Sequence, residues 1–177
     1  MPNHCENQLY CETANFNSII EPFKSKDENG HDFLDFEKII PIPNDLKIEC
    51  CHGSKDEELK EKYKSNLKKH GFENWYDFSL NKWGTKWNSY NCDFNEEGMR
   101  FSTAWSPPEA VIQELANKTG ETFVLEYIEE GIGFCGRYTA IPNDGGIEQT
   151  YSIPDAPQEL KDALGYEEHQ EEYADAI

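Results

Sequence analysis

Residues 99–128 read MRFSTAWSPPEAVIQELANKTGETFVLEYI, and the order strand, helix, strand is written in them. Met99 to Trp105 is a strand. Ser106 is an N-cap, Pro107 fits the first helical position, and Glu109 at N3 completes a capping box. Val111, Ile112, Leu115 and Ala116 recur at helical spacing, and Gly120 supplies the stop. Thr122 to Ile128 is then a strand, with Phe123, Leu125 and Tyr127 on one side.

Outward from this unit the same logic gives the remaining elements. Upstream, Ser89 to Asn95 is the partner strand, joined through Glu96-Glu97-Gly98. Downstream, Glu129 to Gly133 turns the chain into a strand through Phe134, Gly136 and Tyr138, and a last strand falls at Ile147 to Ile153. Near the N-terminus, Cys5, Asn7, Leu9 and Cys11 alternate with His4, Glu6, Gln8 and Tyr10, which makes a strand. Asn15 caps a short helix with the stripe Phe16, Ile19, Ile20 and Phe23, shortened by Pro22. Phe33 to Ile40 reads as extended until Pro41 and Pro43. Ser54 with Glu57 opens a charged helix that Gly71 ends, its narrow stripe being Leu59, Tyr63 and Leu67. Asn74 opens another with Trp75, Phe78 and Trp83, closing near Gly84. The ordering predicts an α+β fold. It is an antiparallel sheet of the split βαβ, ferredoxin-like kind, with helices on one face and a helical insertion over about 54–83. The body is expected over 1–153. Residues 154–177 read as an acidic segment, with a short helix at 158–164, dispensable for folding.

The chain of 177 residues carries 35 acids against 16 bases, a net charge of −19, and a mean hydropathy of −0.83. Ten Phe, nine Tyr and four Trp supply the core, since large rings bury roughly 150–250 Å² each. Nucleic-acid backbone binding needs a basic footprint, and the sequence has none of useful size. An acidic surface serves solubility, or meets a basic partner. Met1-Pro2-Asn3-His4 lacks the basic and apolar regions of a secretory signal, and no apolar run reaches membrane-spanning length. The expected setting is the cytoplasm, with the six cysteines reduced.

Five motifs in order carry a resemblance: Met1-Pro2-Asn3-x-Cys5-x-Asn7; Phe36-Glu37-Lys38-Ile39-Ile40-Pro41-x-Pro43; Trp83-Gly84-Thr85-Lys86-Trp87-Asn88; Thr103-Ala104-Trp105-Ser106-Pro107-Pro108; and Tyr127-x-Glu129-Glu130-Gly131. Over about residues 1–141 the chain resembles the Api92-like family of phage, plasmid and bacterial proteins. His4 departs from the tryptophan expected after Pro-Asn. The resemblance implies a mobile-element origin and a ferredoxin-like domain. It brings no settled activity and no catalytic residue.

His4-Cys5, Cys11 and Cys50-Cys51-His52 lack the C-x₂₋₄-C knuckle of a structural zinc site, so no metal is expected, and Cys5 and Cys11 read as small core residues. Cys135 has no neighbour to activate it as a nucleophile. Gly131-x-Gly133-x-x-Gly136 has dinucleotide-fingerprint spacing but lies in a hairpin rather than a strand-to-helix turn. No cofactor is expected. Trp83, Lys86, Trp87 and Trp105 form an alternative binding cluster that would stack bases on a sheet, against the reading of core rings. The leading expectation is a non-catalytic phage or mobile-element accessory protein that binds a basic host protein. Its concrete form is an acidic DNA-mimic inhibitor of a nucleic-acid-handling defence system such as CRISPR. The partner-binding acids would be Glu129, Glu130, Asp155, Glu159, Asp162, Glu167, Glu168, Glu171, Glu172 and Asp175. A nucleic-acid-binding module, or a small enzyme with an unrecognised site, are the alternatives.

Overall fold

The computed structural model describes residues 3–11, 15–51 and 56–166. The N-terminal alternation becomes strand β1 (His4–Cys11) at the centre of a six-stranded antiparallel sheet. Its neighbours are β5 (Gly98–Ala104) and β6 (Phe123–Glu129). Outside them lie β4 (Tyr90–Phe94) on one side, and β7 (Phe134–Ile141) and β8 (Gly145–Ser152) on the other. Strands β1, β4, β5 and β6, with crossovers through helices α1 (Phe16–Ile20) and α5 (Glu109–Thr119), are the split βαβ unit read from the sequence, and β7–β8 extend it. Cys5, Leu9, Phe101, Leu125 and Tyr127 point to the side that α1, α5 and the short α2 (Phe36–Ile39) cover, and all are buried. Asn7 is buried among them, its Nδ2 donating to the Cys5 carbonyl at 2.8 Å and to Thr103 Oγ1 at 2.9 Å. A buried amide needs such partners.

Glycine at 136 has a packing reason. Tyr127, Gly136 and Thr150 are cross-strand neighbours on β6, β7 and β8, and the Tyr127 hydroxyl reaches over Gly136 to within 2.8 Å of Thr150 Oγ1. A Cβ at 136 would come within 2.5 Å of the tyrosine ring. The glycine spacing at 131–136 therefore serves a hairpin and a ring.

Several boundaries differ from those the sequence predicts. Between 33 and 40 only β3 (Asp32–Leu34) is extended, paired with β2 (Lys24–Lys26). Asp35 then accepts the Glu37 N–H, starts α2, and lets Phe36 and Ile39 bury one turn apart. On α3 (Glu57–His70) the cap is Asp56, and the inward residue is Asn66, bonded to the carbonyls of Asp45 and Glu73. Leu67 stays 51 % exposed: local polar satisfaction outranks the apolar stripe here. Helix α4 (Trp75–Lys82) is capped by Asn74 as read. Helix α5 begins at Glu109 without its capping box, because the Ser106 hydroxyl donates to the Gly84 carbonyl instead.

The acidic segment is not a loose appendage up to residue 166. After β8 a turn leads into α6 (Gln158–Leu164), which lies on the sheet face opposite α5. Ile153, Ala156 and Leu160 are buried there against Ile128 and Cys135, with Tyr151, Leu164 and Tyr166 alongside. These apolar residues are too few for a core of their own, but they need supply only one side of a cluster whose other side is the sheet. Residues 155–166 are thus packed on the body, against the expectation that Asp155 to Ile177 is dispensable for folding. Leu160→Ala should cost about 2 kcal/mol, read as a lower urea midpoint at unchanged slope; a midpoint that does not move would mean that α6 is not docked in solution.

Candidate functional site

The sheet face opposite α5 is only partly covered by α6, and a polar row crosses the uncovered part. By strand register Asp93, Arg100, Gln8, Glu126, Arg137 and Gln149 are successive neighbours on β4, β5, β1, β6, β7 and β8. Arg100 and Arg137 are the only arginines in the chain. Arg137 donates from Nε and Nη2 to Glu126 Oε1 at 2.9 and 2.6 Å, and the Glu126 side chain is 2 % exposed. That carboxylate raises the affinity of the Arg137 guanidinium for its proton. Arg100 is exposed and enters no ion pair among the described residues. One row nearer α6, Ser102 Oγ lies 3.0 Å from both Glu6 carboxylate oxygens.

Above the Arg100–Arg137 row is a hollow of about 950 Å³. Asp93, Glu96 and Glu97, of the β4–β5 hairpin, line it together with Glu159 of α6. With Glu126 committed to Arg137, four carboxylates remain against the one free guanidinium of Arg100. Such an arrangement attracts a cationic group and holds it over a polar floor.

The acids named from the sequence divide accordingly. Glu159 lines the hollow. Asp155 and Asp162 are exposed, but local bonds from Ser152 Oγ and Gln158 Nε2 occupy them. Glu129 is fully buried, its carboxylate accepting the N–H groups of Gly131 and Ile132. It clamps the β6–β7 turn, and its assignment to a partner surface is overturned; Glu130 beside it is exposed. Glu167, Glu168, Glu171, Glu172 and Asp175 lie outside the described residues. Asp93, Glu96 and Glu97 were missed. A hairpin turn explains such acids in the sequence, and only the docking of α6 opposite them reveals the hollow.

The tryptophan cluster also divides. Trp83 is a core ring, 3 % exposed, packed edge-to-face on Phe36 at 5.7 Å, with Nε1 donating to the Ile40 carbonyl at 2.9 Å. Trp87 and Trp105 are not core rings: they flank Lys86 at the strand ends, together with Tyr76 of α4, which the sequence reading did not include. The uncovered sheet face itself carries no row of aromatics in line with them.

The thiols are quiet. Burial pushes up the Cys5, Cys92 and Cys135 thiols, and a bond to Glu49 pushes up that of Cys51. Thiols held protonated are poor nucleophiles and poor metal ligands. Among the described residues no three His, Cys, Asp or Glu side chains converge as a metal site, and His52 lies outside them. No helix among them is long and apolar enough to cross a membrane.

This fold and its family agree. A family model described as the ferredoxin-like domain in Api92-like protein matches residues 82–174, more than half of the chain, and the chain belongs to that family. Among solved structures it is similar to the crystal structure of the protein api92 from Yersinia pseudotuberculosis, at 19 % identity and a TM-score of 0.39. That similarity covers 50 % of this chain and 33 % of the other, so the chain spans about a third of that protein. A search among curated proteins gives no match.

Proposed function

We propose that the chain is a non-catalytic binding protein whose acid-walled hollow takes a basic segment of a host protein. The observation that carries this is the convergence of Asp93, Glu96 and Glu97 with Glu159, from segments some sixty residues apart, on one hollow. The net charge of −19, spread over a surface with 35 acids, supports the DNA-mimic form of the reading. In that form the partner handles nucleic acid, as the proteins of a host defence system do, and the acids occupy its phosphate cleft. The phage or mobile-element setting, and with it action in the host cytoplasm, rests on the family resemblance alone.

The test is affinity capture from the natural host with the wild type and with the triple variant Glu96→Gln/Glu97→Gln/Glu159→Gln. The expected result is a basic protein retained at low salt, released at high salt, and associating about tenfold more slowly with the variant. Equal capture by both forms would overturn the assignment of the hollow. Retention of nucleic acid alone would replace it with the nucleic-acid-binding reading.

A further inference from the structure

Lys86 stands apart from the other cations of this acidic chain. Among the described residues its ammonium has no carboxylate within 4.0 Å and no hydrogen bond. Three ring faces surround it instead: Trp87 at 4.6 Å, Trp105 at 5.2 Å and Tyr76 at 5.6 Å from Nζ to the ring centroid. One such contact within about 6 Å is an ordinary cation–π pair. Three on one nitrogen make a cage, and its resident shows what charge it prefers.

The backbone that carries Trp87 and Trp105 is held in place by bonds of its own. Thr85 Oγ1 donates to the Ala104 carbonyl at 2.9 Å and accepts the Ala104 N–H at 3.1 Å. Ser106 Oγ bonds the Gly84 carbonyl, and Asn88 bonds Asp35 and the Phe36 N–H. The segment carrying Lys86 and Trp87 is thereby stapled to the strand end carrying Trp105. Trp105 itself holds a φ of +72°, a backbone conformation that costs about 1 kcal/mol or more outside glycine. The Trp105 N–H donates to the Asn3 carbonyl at 3.0 Å, which keeps the residue in that conformation. Among the described residues Trp87 is 38 % exposed, so they leave the cage an open side.

The resident fits its cage poorly in one respect. An ammonium carries three N–H donors, and ring faces satisfy them less well than water or a carboxylate does. A cation without N–H groups loses nothing there. We propose that Tyr76, Trp87 and Trp105 form a binding site for a quaternary ammonium group, which Lys86 occupies in the free protein and vacates when that group enters. The site lies at the opposite end of β5 from the hollow and stands independently of the function proposed above.

Titration with tetramethylammonium chloride, against ammonium chloride at equal ionic strength, tests this by NMR of the tryptophan indole N–H signals. Saturable shifts of Trp87 and Trp105 are expected with tetramethylammonium only. Lys86→Ala should bind it about tenfold more tightly than the wild type, because no tethered competitor remains. Lys86→Met, which refills the cage with an uncharged stem, should not gain. Trp87→Ala should lose the response. The Trp83 indole signal, held by its bond to Ile40, reports that each variant is folded; should Lys86→Ala lose it, Lys86→Ser takes its place. Equal shifts with both salts, or no tighter binding once Lys86 is gone, would overturn the proposal.

Discussion

Trp83→Ala is expected to lower the free energy of unfolding by about 3–5 kcal/mol. The ring is 3 % exposed, rests on Phe36, and through it on Phe101, and its Nε1–H satisfies the Ile40 carbonyl. Removing it leaves a cavity between α4, α2 and the sheet, and an unpaired carbonyl beside it. Trp83→Phe keeps a ring and should recover more than half of the loss. Trp87→Ala, by contrast, should change stability by no more than about 0.5 kcal/mol, since that ring is 38 % exposed. Urea denaturation of the three variants makes the comparison. A Trp87 loss as large as that of Trp83 would mean that the cage is part of the core.

A comparable loss, about 3 kcal/mol, is expected for Arg137→Ala. The cost comes less from the missing contact than from what stays behind. Glu126, 2 % exposed, would be left on the sheet face with its two guanidinium bonds gone. Neutralising both partners together, as Glu126→Gln/Arg137→Gln, should therefore cost clearly less than Arg137→Ala alone. If the double variant proves the less stable of the two, attraction within the pair, rather than the orphaned charge, dominates. Arg100→Ala should have little effect on stability, because that guanidinium holds no ion pair.

The sheet was legible in the sequence because β1 alternates and the turns carry acids and glycines, although β6 is buried at all seven residues and β8 is exposed at nearly every one. Cys5, Asn7 and Leu9 do face the core, as the period of two requires, and Gly71 and Gly120 end α3 and α5 in left-handed conformation as read. The boundary errors share one physical origin. At Asp35, Ser106 and Asn66 a polar side chain chose a partner that periodicity does not encode. The site was less legible. Arg100, Gln8, Glu126 and Arg137 each occupy the polar phase of their own strand, but only the pairing register sets them in one row. The acidic segment failed differently. Its apolar residues are too few for a core of their own, but Ile153, Ala156 and Leu160 complete a cluster begun by Ile128 and Cys135. The company of the tryptophans is likewise not written in their spacing. The fold sends Trp83 inward and brings Tyr76 to the others.

The two margins of the sheet are unlike. Strand β4 is short, its register slips between Tyr90 and Asp93, and Asn91 turns through a φ of +51°. Strand β8 runs eight residues in unbroken register with β7, is exposed along nearly its whole length, and carries neither lysine nor proline. Straight, open margins are templates for further strands, and irregular ones are not. Growth of this sheet is therefore one-sided. Among the described residues, β8 is the margin suited to an added strand. Two molecules paired there would each turn the irregular β4 outward, a margin poorly suited to a third.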